Sequence, residues 1–336
     1  MYLSNIKKHY KLLKYPRLFR DFYILNLYKI FTKKIFKKSM LLERAKRKGR
    51  VEDRPLLSNE NFNSEIKNAI FSGKPFFCCR YGSCKLTASF YGLMKKMGVL
   101  DAISFPLMKN LKTNAGVFPE DEKTYMTFAN EYMKSLPKAD YNAYLGFALM
   151  EEYMIHKFVR KDCAQYAMRA LEPFQYEKPW TLALKNKRVL IVHPFAELIE
   201  SQYKRRNEIF PDKEIFPECE LRVVKAIQSS GKTYPEGYAD WTEALDSLYQ
   251  SCIKEDFDIA LLSCGSYAVP LGARLNESGK QVMVLGGMLQ IMFGIKGKRW
   301  EESRPDIVAM YNDAWIRADG SYVVKDAEKI DGAAYW

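Results

Sequence analysis

The sequence predicts an α/β fold: a Rossmann-like, mainly parallel sheet flanked by helices, preceded by a basic amphipathic helical leader. Three observations carry this. Short apolar, strand-like runs alternate with longer helix-period segments over most of the 336 residues. One stretch, 258–285, reads as a complete βαβ crossover. The positive charge is concentrated ahead of the alternating part and is not spread through it.

The leader comes first. Residues 1–50 hold sixteen Lys and Arg against Asp21 and Glu43, a net charge of +14, and the rest of the chain comes to −1. A body with no excess positive charge lacks the basic stripe that a sequence-reading nucleic-acid binder needs, so no nucleic-acid partner is expected there. Within the leader, Ile24, Leu27, Tyr28, Phe31 and Ile35 recur at helical spacing, while Lys29, Lys33, Lys34 and Lys37 fall on other faces. Such a helix suits an anionic membrane surface, with apolar groups in the acyl boundary and lysines at the headgroups. The alternative is a helix that packs its apolar face on the body and leaves the lysines in water. No run reaches the ~20 apolar residues of a membrane span, and no cleavage site for a secretion signal is present. Seven cysteines without a Cys-x-x-Cys pair indicate neither a disulfide framework nor a zinc site. A cytoplasmic protein, peripheral at the inner face of the membrane, is the expectation.

Residues 51–65, with Pro55 and a polar stretch, read as a linker, and 66–336 as one domain. Strands are expected at 76–79, 142–145, 188–192, 221–226, 259–263 and 281–285, with helices such as 122–135 and 240–252 between them. Apolar content of 48% is ample for a packed core. In open sheets of this kind ligands gather beyond the carboxyl ends of the strands, so the loops there are read for chemistry.

The first such loop is Arg80-Tyr81-Gly82-Ser83. Gly82 permits a tight turn, Ser83 is a natural N-cap, and the free N–H groups of the following helix attract phosphate. Arg80 adds a bidentate cation, unless a carboxylate pairs with it. The second is His193-Pro194-Phe195-Ala196-Glu197, where His193 is a candidate general base or hydrogen-bond donor and Glu197, like Glu218 and Glu220 further on, a candidate base or metal ligand. Either reading competes with a structural one, a histidine satisfied by the backbone or a solvated carboxylate. The third comprises Gly265 and Ser266, Gly286 and Gly287, and the run Gly294-Ile295-Lys296-Gly297-Lys298-Arg299-Trp300. Glycines admit a ligand to the backbone, and Lys296, Lys298 and Arg299 among them suggest a diphosphate cradle. Walker, G-x-G-x-x-G, serine-hydrolase and metalloprotease signatures are all absent from the sequence.

The order of these motifs, with Asn114-Ala115-Gly116, Gln202 and Arg205, resembles a largely uncharacterised bacterial family associated with surface-polysaccharide synthesis, over about residues 62–336. The Arg-x-Gly turn and the late βαβ unit also resemble the GT-D class of glycosyltransferases, which use nucleotide-sugar donors. The resemblance implies a glycosyltransferase that moves a sugar from a nucleoside diphosphate to a polysaccharide or lipid-linked acceptor. It would bind the donor through Arg80, Gly82, Ser83, Lys85, Gly265, Ser266, Gly286, Gly287, Lys296, Lys298 and Arg299. In that class the turn continues into Asp-x-Glu, acids associated with Mn or Mg and the donor diphosphate. Here Ser83 and Lys85 replace that acidic pair. Either Lys85 supplies the positive charge a metal would give, or the chain is a non-catalytic nucleotide- or partner-binding member of a polysaccharide assembly.

Overall fold

The computed structural model describes residues 14–17, 40–146, 149–324, 327–330 and 335–336. The amphipathic helix expected around residues 24–35 lies outside them. Helix α1 (Met40–Lys48) leads into β1 (Arg50–Val51) and β2 (Arg54–Leu57), then α2 (Asn59–Ser72), β3 (Phe76–Arg80), α3 (Ser83–Lys96), α4 (Phe105–Ala115) and α5 (Glu122–Ser135). Next come β4 (Tyr141–Tyr144), α6 (Leu149–Phe158), β5 (Ala164–Ala167), β6 (Arg188–His193), α7 (Ala196–Lys204), α8 (Arg206–Ile209) and β7 (Glu220–Lys225). The chain continues through α9 (Trp241–Ile253), β8 (Ile259–Leu262), α10 (Ala268–Glu277), β9 (Gln281–Val284), α11 (Met288–Met292), β10 (Ile295–Lys296), α12 (Lys298–Ser303), α13 (Pro305–Val308) and β11 (Ile316–Arg317).

Strands β1 to β9 form one sheet in the order β1-β2-β5-β4-β3-β9-β8-β6-β7. Every neighbouring pair is parallel except the hairpin β1–β2. The central strands are apolar runs because both faces are covered. In β3, Phe77 and Cys79 join one core while Phe76 and Cys78 join the other; in β6, Leu190 and Val192 face one way and Val189 and Ile191 the other. The first core packs α3, α5, α9 and α10 through Phe90, Phe128, Trp241 and Leu271. The second packs α2 and α7 through Phe62, Ile66 and Ile199, with Trp180 in the same cluster. The expected parallel α/β sheet is therefore present, and the 258–285 crossover is β8–α10–β9.

Residues 51–65 are not a linker. Strand β2 pairs with β5, Phe62 and Asn63 of α2 are buried, and the Arg54 guanidinium is sunk under the end of α6. There it donates to the backbone oxygens of His156 (3.3 Å), Val159 and Arg160 (3.2 Å), satisfying carbonyls that the helix leaves open. The leader boundary at residue 50 moves for the same reason. In α1, Ala45 is buried, Leu42 closes on Gly146, and Arg44 pairs with the buried Glu152, which also accepts from Tyr144 Oη at 2.6 Å. Residues 40–48 thus belong to the folded body.

Candidate functional site

A cleft of about 1020 Å³ of empty space, open solvent included, lies over the carboxyl ends of β3, β9, β8, β6 and β7. Its position follows from the connections. The chain leaves β6 outward to β7, and leaves β8 in the opposite direction to β9, so the loops diverge and open a crevice between them.

The turn after β3 supplies the charge. Arg80 reaches across to β9, its Nη1 3.5 Å from the oxygen of Leu285 and its Nε 3.2 Å from Met168 Sδ. Gly286 makes that reach feasible: its φ is +58°, and a Cβ there would fall on the Arg80 guanidinium. Helix α3 starts at Ser83, so Gly82 is the N-cap and Ser83, expected in that role, sits one position inside the helix, exposed and off the cleft. Its replacement by Gly82 as cap leaves room for Lys85, whose side chain folds back over Gly82 with Cδ 2.9 Å and Nζ 3.0 Å from where a Cβ would stand. The Lys85 ammonium is thereby brought to the N-terminus of α3, where backbone N–H groups also point outward. Neither Arg80 nor Lys85 has a carboxylate partner among the described residues, and no other charged side chain among those residues lines the cleft.

His193 ends β6, is buried at 3% exposure, and lines the cleft. Its Nδ1 accepts the backbone N–H of Phe195 at 2.9 Å. Burial pulls its pKa down to about 3, so the ring is neutral, and with Nδ1 accepting, the proton resides on Nε2. It presents a hydrogen-bond donor and no free lone pair, which fits the donor role and not that of a base. Because the folded-state pKa is depressed, the unfolded chain binds the extra proton between about pH 6.5 and 3, and stability falls as pH drops through that window. His193→Gln is expected to flatten this acid limb, by about 1.4 kcal/mol per pH unit at most; denaturant unfolding across pH 7 to 4 checks it.

Two loops roof the cleft. Lys112 of α4 is fully buried and donates to the oxygens of Gly231 (2.9 Å) and Thr233 (3.0 Å) under the Tyr234 ring (4.2 Å), and burial lowers its pKa. Ser229 Oγ bonds the oxygen of Gly116 (2.7 Å) and meets Tyr267 Oη (2.9 Å). Segment 226–230, which lines the cleft, is thus sewn to the end of α4, where Asn114 and Ala115 also line it. The far wall is aromatic: Phe195, Tyr335 and Trp336 pack edge to face.

Several expected residues lie elsewhere. Glu197 is half exposed and paired with Lys225 at 2.7 Å, which lowers its pKa and keeps it off the cleft. Ser266 is buried, its Oγ accepting the Trp241 indole N–H at 2.8 Å. Lys296 stands over the Tyr311 ring (5.3 Å), Lys298 lies 3.7 Å from Glu302, and Arg299 covers the Tyr335 ring (5.0 Å). Gly297 is required by the Trp300 ring, 2.7 Å from where a Cβ would be, and not by a phosphate. Arg80, Gly82, Lys85, His193, Gly265, Gly286 and Gly287 do converge on the cleft. Sequence reasoning missed Lys112, for which the sequence carries no signal, and Gln290, a lone amide in the apolar run Met288-Leu289-Gln290-Ile291-Met292-Phe293.

The donor set does not suit a divalent cation. Among the described residues no group of three or more His, Cys, Asp or Glu is placed to hold a metal, and the charged groups of the cleft are cations. No helix among the described residues is long and apolar enough to cross a membrane.

No family model and no curated protein matches the chain. Two solved chains are similar, each at TM-score 0.42 and 11% identity over 85% of this chain and 96% of its own. One is described as the selenomethionine-substituted structure of domain of unknown function 1792, the other as "The highly conserved domain of unknown function 1792 has a distinct glycosyltransferase fold". A likeness of this depth identifies neither a family nor a reaction, so a functional reading has to come from the cleft.

Proposed function

We propose that the protein is a glycosyltransferase that takes a sugar from a nucleoside diphosphate and passes it to a hydroxyl of a polysaccharide or lipid-linked acceptor. The observation that carries this is the pair of cations, Arg80 and Lys85, held without carboxylate partners among the described residues at a helix N-terminus in the cleft over the strand ends. Such a site is built for a compact polyanion, and the aromatic wall suits a base or sugar beside it.

In the reaction the acceptor oxygen bonds to the anomeric carbon as the bond from that carbon to the phosphate oxygen breaks. Negative charge grows on the departing diphosphate, where Arg80, Lys85 and the α3 amides neutralise it. His193, whose Nδ1 is taken by the Phe195 N–H, supplies its Nε2–H as a hydrogen-bond donor to the bound substrate in this reading. The acceptor proton passes to the departing diphosphate, whose oxygen is the base that the step itself creates.

The test is a thermal-shift panel of UDP-glucose, UDP-galactose, UDP-N-acetylglucosamine, GDP-mannose and dTDP-rhamnose, with and without manganese. At least one donor raises the melting temperature without needing manganese; no stabilisation by any of them overturns the reading. The alternative, nucleotide or partner binding without turnover, is favoured by the His193 tautomer and by Glu197 lying off the cleft. A donor-hydrolysis assay on the binding donor decides between them.

The basic leader is proposed to bring this cleft to an anionic membrane surface at the cytoplasmic side. Since residues 40–48 pack on the body, the informative truncation starts at Met40 and not near Val51. Full-length chain is expected to co-sediment with phosphatidylserine vesicles at low salt and the truncated chain to stay in solution; equal sedimentation of both sinks the leader as anchor.

A further inference from the structure

Gln290 is fully buried on α11 and lines the cleft. Its Nε2 donates to the backbone oxygens of Lys296 (2.9 Å) and Tyr335 (3.0 Å). Those two acceptors fix the amide, because turning it over would set its own oxygen against two carbonyls. Oε1 is therefore the end left unpartnered, and it is buried without a hydrogen bond. Of the buried side-chain polar atoms lacking a partner among the described residues, it alone belongs to a residue lining this cleft. A carbonyl oxygen held that way is an acceptor waiting for a donor, since leaving it unmade is costly.

Its position indicates which donor. Gln290 sits in the first turn of α11, which follows directly on Gly286 and Gly287, and Gly286 is the residue over which the Arg80 guanidinium rests. A diphosphate held at Arg80 carries a sugar ring on each side, ribose on one and the transferred sugar on the other. The group one ring away from the phosphates is a hydroxyl. We propose that Gln290 Oε1 accepts a hydrogen bond from a hydroxyl of a sugar ring attached to the diphosphate, so that Gln290 selects the ring that sits there. This rests on the nucleoside-diphosphate reading above.

The probes are the donor of the panel that binds tightest and its analogues lacking one hydroxyl at a time, one series on the transferred sugar and one on the ribose. Titrated against the full-length wild-type chain, one analogue is expected to bind about tenfold more weakly than its parent, and the series it belongs to identifies the ring. With Gln290→Ala, the parent should weaken by a similar factor while that analogue binds as it does to wild type. If the variant does not fold, the wild-type series decides alone. No single hydroxyl mattering by more than about twofold, or equal weakening of parent and analogue in the variant, overturns the proposal. Failure of every parent donor to bind would instead overturn the nucleotide-sugar reading, so the two failures are distinct.

Discussion

Arg80→Ala is expected to weaken binding of the tightest nucleotide sugar by about 10- to 100-fold, the loss of one charge-assisted pair of hydrogen bonds to phosphate. Its present partners are a thioether at 3.2 Å and one backbone oxygen at 3.5 Å, neither of which competes with a phosphate for a guanidinium. Removing it leaves no orphaned carboxylate among the described residues, so the melting temperature of the free protein should change by no more than a degree or two. Arg80→Lys restores part of the affinity, since an ammonium keeps the charge but not the fork. Isothermal titration of the three proteins reads this directly. Unchanged affinity in Arg80→Ala would remove the cation pair as the diphosphate site and the proposed function with it.

Lys112→Met should act on stability and on binding together. The variant keeps the apolar stem but leaves the oxygens of Gly231 and Thr233 without their donor. Those oxygens follow directly on the 226–230 segment, which Ser229 ties to Gly116 over the cleft. A loss of about 2 kcal/mol in unfolding free energy is expected, with nucleotide affinity down by about tenfold as the 226–230 wall loosens. Lys109→Ala, on an exposed part of the same helix, is the control and should stay within ~0.5 kcal/mol of wild type. Urea unfolding and titration check both halves; a stability loss with full affinity would mean that the loop does not shape the site.

The fold was legible where strands are buried on both faces. Phe76-Phe77-Cys78-Cys79, Val189-Leu190-Ile191-Val192 and Ile259-Ala260-Leu261-Leu262 are continuous apolar runs for that reason. Strand β5 was not, because its sheet position is held by an amide pair: Asn142 donates to Gln165 at 2.6 Å with both fully buried, where a sequence reading looks for valine or isoleucine. Strand β2 was hidden by Arg54 and Pro55, which look like linker chemistry, yet Arg54 is a buried cap for α6. In the site, the rule that ligands gather at strand ends pointed to Arg80 and His193, since their places follow from where strands stop, whereas Lys85, inside α3, came only from the resemblance. It could not sort the Lys296, Lys298 and Arg299 run. Glycine beside lysine reads the same whether the glycine clears space for a phosphate or, as at Gly297, for an indole.

The seating of β9 between β3 and β8 has a consequence for how the chain comes together. Phe77 pairs with Val282, contacts separated by some two hundred positions of sequence, and the two edges so joined carry Arg80 and Gly286. No segment ending before β9 can present the proposed anion site, because Gly286 and Gly287 of its wall have yet to be placed. Closing so long a loop is slow and comes late in folding. A nucleotide sugar added during refolding should therefore register only the fully assembled chain, acting as a reporter of completion and not of partial order.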